Sequence, residues 1–392
     1  MEKHNMEIHN PELVGIDGGR LNRLSASIER DVDKGTYDGA VVIVARHGKV
    51  VLHEAIGSTD HKAGRAASKD DVFAVMSLTK PLAATLLLSR FERGDLRLTT
   101  RIADIIPEFG VLAKGRITVG QLLGHTGGMG GTLPIPLDVY PNLEATVQTL
   151  CALPIQAVPG KSVSYSPIGS HSILAEVVRR LDGGKRSYRQ ILEEEVITPL
   201  GMKDTSLGAR PDLADRRVPI RARGWEEGLM SPAMLEALDH LLDENAEIPA
   251  AGAFSTATDY FRFAEMLRRG GELDGTRLLS PLTIDLATRN QTGQMTNDAW
   301  VFAREFRNWD EFPAFLGLGF YLRGEGIFPQ YYGTLASPRT FGHAGVGSMV
   351  FWVDPVRDMT FVGMTAGLME ESYSIERWQR LSDIALSSIV TP

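Results

Sequence analysis

An α+β fold is predicted: an antiparallel β-sheet flanked by N- and C-terminal helices, with a mostly helical lobe inserted into it. Three observations carry this expectation. β-Branched apolar runs come in pairs near both ends of the chain. Helical stretches and Gly/Pro-rich loops fill the middle. No repeat with a period of about 20 to 50 residues, the mark of a solenoid or propeller, interrupts that order.

Leu21, Leu24, Ile28 and Val32 recur at helical spacing and give one amphipathic N-terminal helix, broken by Gly35 and Gly39. Residues 40–45 and 50–55 are apolar runs separated by Arg46-His47-Gly48-Lys49, the pattern of a β-hairpin. A helix follows at 81–93, stopped by Gly94, and another at 170–181, stopped by Gly183-Gly184. Further helical stretches lie at 188–196 and 234–242, with loops at 127–141, 208–219 and 324–339. Residues 348–353 and 359–364 then flank Asp354-Pro355-Val356-Arg357-Asp358, a second hairpin with proline turn chemistry. Ile375, Trp378, Leu381 and Ile389 mark a C-terminal helix. Residues 15–76 and 252–392 are therefore expected to build a discontinuous sheet domain and residues 77–251 a helical one, with the active site in the cleft between them.

Composition narrows the function classes. The chain of 392 residues is 43% hydrophobic and 23% charged, the balance of a soluble globule. Its 41 basic and 49 acidic side chains leave a net charge of −8, which argues against nucleic acid or an anionic membrane as the main partner. The one cysteine, Cys151, allows neither an internal disulfide nor a Cys-based zinc site. The first ten residues, Met-Glu-Lys-His-Asn-Met-Glu-Ile-His-Asn, carry no apolar signal core, and apolar stretches reach about eight residues where a spanning helix needs about 20. A cytoplasmic protein is expected. Gly-x-Ser-x-Gly, Gly-x-x-x-x-Gly-Lys, Gly-x-Gly-x-x-Gly and His-Glu-x-x-His are all missing, and the histidines lie singly. His47, His53, His61 and His240 read as surface or structural residues, so no metal and no cofactor is called for.

Ser77-Leu78-Thr79-Lys80 is the informative tetrad. With 23 serines and 10 lysines, chance alone supplies roughly 0.6 Ser-x-x-Lys matches, so the pattern needs its context. It follows an apolar stretch and opens the 81–93 helix, with Pro81 in the first turn, where a missing N–H costs little. Ser77 is either a plain N-cap or a nucleophile. In the second case Lys80, one helical turn on, reaches its Oγ; burial lowers the lysine pKa, and the neutral amine accepts the serine proton. Ser164-Tyr165-Ser166, after Pro159-Gly160 and before a helix, places a tyrosine that either packs or relays a proton. Gly342-His343-Ala344-Gly345-Val346 enters the late hairpin, either as an ordinary Gly-rich strand entry or as a site where the glycines permit close backbone approach to a ligand and a strand-edge N–H can face an oxyanion.

In order and spacing these sites resemble the serine β-lactamase-like superfamily, in its class C β-lactamase and family VIII carboxylesterase branch. The likeness runs over roughly residues 21–390. Its carriers are Val-Met-Ser77-Leu-Thr-Lys80-Pro, Gln121-Leu-Leu-Gly-His125-Thr-Gly-Gly-Met129, Pro159-Gly160 leading to Tyr165-Ser166, and Pro199-Leu-Gly-Met202. Gly252-Ala-Phe-Ser255-Thr-Ala-Thr-Asp259, Gly342-His343-Ala-Gly345 and Trp352-Val-Asp354-Pro355 complete them. The resemblance implies a β-lactamase/transpeptidase-like fold, Ser77 as acylated nucleophile, Lys80 as general base and Tyr165 as the second acid/base group. It further implies an oxyanion hole from the N–H groups of Ser77 and Val346, and His343 where true β-lactamases carry the lysine of Lys-Thr-Gly. His125 would order its own loop.

Two departures bear on substrate. The Tyr-x-Asn box here reads Tyr165-Ser166-Pro167, without the amide that holds a β-lactam, and His343 is mostly neutral at pH 7. The expectation is a cofactor-free serine hydrolase cleaving carboxylic esters. A peptidase or amidase on small linear peptides and an acyltransferase are the near alternatives; a true β-lactamase and a non-catalytic ligand sensor lie further off. The partner is a small ester, amide or short peptide, with no signal for oligomeric state. Pocket walls are expected from 130–143, 221–245 and 321–332, with Tyr140, Trp225, Phe328 and Tyr331 as candidate lining.

Overall fold

The computed structural model describes residues 6–131, 134–226, 228, 230–347 and 349–391. The N-terminal helix α1 (Gly18–Asp33) is capped by the Asp17 carboxylate, which accepts from Arg20 N. Strands β1 (Gly39–Arg46) and β2 (Lys49–Asp60) form the first hairpin, turned at His47 and Gly48, whose φ values of 53° and 73° are both left-handed. That pair of angles matches the right-handed twist of the strands it joins. Near the C-terminus, β6 (Met349–Asp354) and β7 (Met359–Ala366) form the second hairpin, as expected, while Ser348 lies outside the described residues.

With β3 (Arg65–Ala66), β4 (Tyr321–Leu322) and β5 (Phe341–Gly345), these strands make one antiparallel seven-stranded sheet in the order β3-β2-β1-β7-β6-β5-β4. The two ends of the chain meet in its centre, where β1 pairs with β7 from Gly39↔Ala366 to Arg46↔Met359.

Both faces of the sheet are covered, which is why its central strands read as unbroken apolar runs rather than alternating ones. Val42, Val44, Val350, Trp352 and Phe361 pack on Leu21, Leu24 and Ile28 of α1 and on Ile375, Trp378 and Leu381 of the C-terminal helix, Glu371–Leu386. The opposite face, with Val41, Ile43, Phe351, Val362 and Met364, packs on Tyr260, Phe263 and Leu267 of the helix Ala257–Arg268. That helix was not among the expected elements. One correction falls at the C-terminus: the last helix stops at Leu386, and Ile389 pairs with Ile16 as an isolated bridge instead of extending it.

The intervening segment leaves and returns at neighbouring strands. Phe73–Ala74 and Ala253–Ser255 pair antiparallel, and Ser206–Leu207 adds a third strand. Immediately after this junction comes α2 (Thr79–Glu92), whose residues 79–88 are all buried. A helix apolar all round belongs in a protein interior, and its buried cation Arg90 is paired at 2.6 Å with Glu195. The other expected helices occur as α3 (Gly169–Leu181), as Tyr188–Leu192 continuing into a π-turn at Glu193–Ile197, and as Pro232–Leu241. Of the 127–141 loop, residues 132 and 133 lie outside the described residues.

Candidate active site

Ser77 sits in a short 3₁₀ turn, Met76–Leu78, between the Phe73–Ala74 strand and α2. Met76 holds φ at 49°, a conformation that costs a side-chain-bearing residue about 1–2 kcal/mol and persists only when its surroundings over-determine it. They do so here through hydrogen bonds. Val75 N donates to Ala253 O at 2.9 Å, Thr79 Oγ1 to Met76 O at 2.7 Å, and Tyr260 O–H to Leu78 O at 2.7 Å. Thr79 Oγ1 in turn accepts from Ala253 N at 3.0 Å. The N-cap of α2 is Leu78, with no side-chain cap, so the Ser77 hydroxyl is not spent on the helix.

That hydroxyl faces Lys80. Lys80 Nζ lies 3.0 Å from Ser77 Oγ, 2.8 Å from Pro167 O and 2.9 Å from Ala250 O. The side chain is wholly buried, and burial drives its pKa well below the ordinary lysine value. The three neighbours serve either protonation state: an ammonium donates to all three, whereas a neutral amine donates to the two carbonyls and takes the serine O–H on its lone pair. The Tyr165 ring closes the site, its centroid 4.9 Å from Nζ.

Tyr165 is held from several sides. Its N–H donates to Asn297 Oδ1 at 3.0 Å, and the side chains of Ser77 and Tyr321 lie close enough to its phenol to act on its titration. Burial pushes the phenol pKa up, more than those two neighbours pull it down. His125 orders the same segment: its Nδ1 accepts from Ser166 N at 3.0 Å, its carbonyl accepts from Ser164 N at 3.0 Å, and its ring lies 4.6 Å from that of Tyr165. An Nδ1 that accepts is unprotonated, so His125 is the Nε2–H tautomer, and burial holds its pKa well below the usual value.

The third wall is β5. His343 is buried and stacks on Tyr321 at 4.3 Å between centroids. Its Nδ1 faces Ala344 O at 2.8 Å and so carries the proton. Burial first, then the proximity of Lys80, push its pKa down to about 3. At neutral pH His343 is uncharged. A Cβ on Gly345 would fall 2.6 Å from Val75 O and 3.2 Å from Met76 Cβ, so the strand runs directly against the serine turn, and only glycine fits there. Val346 follows, half-buried.

The expected residues thus converge: Ser77 and Lys80 are hydrogen-bonded, the Tyr165 ring lies against the amine, and His343 and Gly345 stand around them. Of the expected lining, Trp225 and Tyr140 pack with Val346 against one apolar cluster, and the Trp225 indole donates to Leu368 O at 3.0 Å. Phe328 and Tyr331 line a cavity of about 40 Å³ on the other side, together with Trp300, Phe312, Tyr321 and Gln330. Sequence reasoning missed Tyr321 as the phenol against Tyr165. It also missed Glu371, and the carbonyls of Pro167 and Ala250. Among the described residues no cluster of three or more His, Cys, Asp or Glu is placed to hold a metal ion, and no helix is long and apolar enough to cross a membrane.

Comparison with known proteins identifies the family and the fold. The Beta-lactamase family model matches residues 24–386. Esterase EstB of Burkholderia gladioli is 28% identical over 371 residues, covering 85% of this chain and 89% of that protein. A penicillin-binding protein homologue from Caulobacter crescentus superposes with a TM-score of 0.78 at 26% identity, over 95% of this chain and 99% of its own. A family VIII carboxylesterase superposes equally, with a TM-score of 0.78 and the same coverage, at 23% identity, a likeness of fold.

Proposed function

We propose, from the premise that this chain belongs to the Beta-lactamase family and has the β-lactamase/transpeptidase-like fold of serine hydrolases, that it cleaves carboxylic esters through an acyl-enzyme on Ser77. The observation that carries the proposal is the amine of Lys80, fully buried, in no salt bridge among the described residues, and 3.0 Å from the serine oxygen.

In this reading Ser77 Oγ attacks the ester carbonyl as its proton passes to Lys80 Nζ. The backbone N–H groups of Ser77 and Val346 receive the oxyanion. The tetrahedral intermediate then collapses, the C–O bond to the alcohol breaks, and the Tyr165 phenol protonates the leaving oxygen. Lys80 returns its proton to the phenolate. Water repeats the sequence on the acyl-enzyme, losing its proton to the same pair and releasing the acid and free Ser77.

Ester is favoured over β-lactam because Pro167 stands where an amide side chain would be, so that position has no side-chain amide to hold a β-lactam. His343, neutral at pH 7, supplies no cation for a β-lactam carboxylate. The test is a panel of esters, linear peptides and thioesters with product analysis, run beside labelling by a serine-directed phosphonate. Wild type should turn over esters and take one label on the Ser77 peptide, and Ser77→Ala should do neither. Turnover by Ser77→Ala, or a label on another serine, overturns the assignment.

A further inference from the structure

Glu371 is the first residue of the C-terminal helix and is buried, 6% exposed. Each of its carboxylate oxygens accepts one hydrogen bond. Oε2 takes the N–H of Gly347 at 2.6 Å, and Oε1 takes the phenol O–H of Tyr331. Gly347 belongs to the turn after β5, at φ 68°, and its own carbonyl accepts from Met369 N at 3.1 Å. Gly347, the residue after Val346, is therefore held at its N–H by Glu371 and at its carbonyl by Met369.

The second bond reaches the other half of the site. The Tyr331 ring lies nearly parallel to Tyr321, 6.2 Å between centroids and 15° between planes. Tyr321 stacks on His343, and its ring lies 5.7 Å between centroids from that of Tyr165, whose phenol is near Ser77. One carboxylate thus holds both the turn that presents Val346 N–H and the far end of the ring stack behind the phenol.

We propose that Glu371 is a positioning residue for acyl transfer, whose carboxylate aims the Val346 N–H at the oxyanion by gripping Gly347 and steadies Tyr165 through Tyr331 and Tyr321. This rests on the reading of Ser77 as nucleophile and Val346 as oxyanion donor. The charged groups around Glu371 leave it that task. Arg377 on the same helix gives its Nη1 and Nη2 to Thr365 Oγ1 and Ser374 Oγ, and Glu370 caps the helix by accepting from Ser372 N at 2.8 Å. A carboxylate buried among rings is costly, and the two bonds it accepts offset that cost. Burial and the neighbouring Glu370 push its pKa up to about 7. The protonated acid still offers one oxygen to Gly347 and a hydroxyl to Tyr331, and so does the job of the anion.

A glutamine amide has the same shape and the same pairing, because its oxygen accepts from Gly347 while its N–H donates to the Tyr331 oxygen. A leucine fills the space and accepts nothing. The experiment compares wild type, Glu371→Gln and Glu371→Leu on one neutral activated ester, with kcat and KM, the rate and stoichiometry of phosphonate labelling, and thermal melting. Glu371→Gln should keep kcat within about 3-fold. Glu371→Leu should lose about 100-fold in kcat, the scale of one misplaced oxyanion donor, with KM changed less than about 3-fold and labelling of Ser77 slowed in parallel. Folded Glu371→Leu with kcat near wild type, or a loss confined to KM, overturns the proposal. If Glu371→Leu does not fold, Glu371→Gln decides: a loss of about 30-fold or more there also overturns it. Failure of the nucleophile reading would show separately, as turnover by Ser77→Ala.

Discussion

Replacing Lys80 by methionine tests whether the buried amine sheds its proton. Methionine matches the length of the side chain and removes its polarity, leaving Pro167 O and Ala250 O without their donor. Each orphaned carbonyl costs about 1–3 kcal/mol, whatever the pH. The informative part is the pH dependence. In the unfolded chain Lys80 is protonated up to its ordinary pKa of about 10.4, whereas in the folded protein burial lowers its pKa well below that. Between the lowered value and the ordinary one, folding releases one proton. Stability then rises with pH by about 1.4 kcal/mol per unit, and is lost in the same measure as pH falls toward the native pKa. Other titrating groups cancel when Lys80→Met is subtracted from wild type. Denaturant unfolding of both proteins at a series of pH values should therefore give a stability difference that moves in favour of wild type as pH rises toward about 10, by about 1.4 kcal/mol per unit wherever the native amine is already neutral. A flat difference would mean that the native lysine keeps its proton, and the proposed base would be gone.

Three further outcomes follow from the same geometry. The pH profile of kcat/KM on an ester should fall on the acid side as Lys80 is protonated. The raised Tyr165 pKa keeps the phenol intact through the alkaline range, and His343, at about 3, adds no limb near neutrality; a limb near neutrality abolished by His343→Gln would instead assign the base to histidine. Tyr165→Phe keeps the ring against His125 and removes the O–H, so kcat should drop by about 10²–10⁴-fold, and more for an anilide than for a nitrophenyl ester because the poorer leaving group needs the proton; equal losses would exclude that role. Gly345→Ala puts a methyl 2.6 Å from Val75 O and should cost about 1–3 kcal/mol by denaturant unfolding while slowing phosphonate labelling of Ser77; labelling at the wild-type rate would place the strand too far from the serine turn to act on it.

The central strands and the adjacency of Ser77 and Lys80 were legible in the sequence because both depend on local pattern. Burial of the sheet on both faces turns β1, β6 and β7 into continuous apolar runs, and the i, i+3 spacing of Ser77 and Lys80 is a helical neighbour relation. The strands Phe73–Ala74, Ser206–Leu207 and Ala253–Ser255 are two or three residues long, too short for any period to register. The helix Ala257–Arg268 did carry a signal, with Thr256 accepting from Asp259 N and Gly270 beyond its end, but that stretch stood out only as a family motif. What escaped entirely is tertiary. Pro167 and Ala250 act on Lys80 through backbone carbonyls that any residue would supply, and the contacts of Tyr165 with Tyr321, and of Glu371 with Gly347 and Tyr331, join segments that no spacing rule connects.

The same features explain why the site needs so large a frame. A left-handed Met76, a lysine buried with no counter-ion among the described residues and a buried neutral histidine gather near one hydroxyl, and a carboxylate buried against Tyr331 and Gly347 stands behind them, each at an energetic cost to the native state. Left to itself such a cluster would relax: the amine would turn to water and take up a proton, and the serine turn would unwind. It is prevented from doing so because every strained group is tied to an element with its own core. Thr79 and Tyr260 pin the turn to the Ala253–Ser255 strand and the helix Ala257–Arg268, His125 pins the tyrosine segment, and Glu371 pins the last turn to the C-terminal helix. Low stability at the reacting centre and high stability in the sheet are then one arrangement, in which loosening any tie should slow the chemistry before it unfolds the protein.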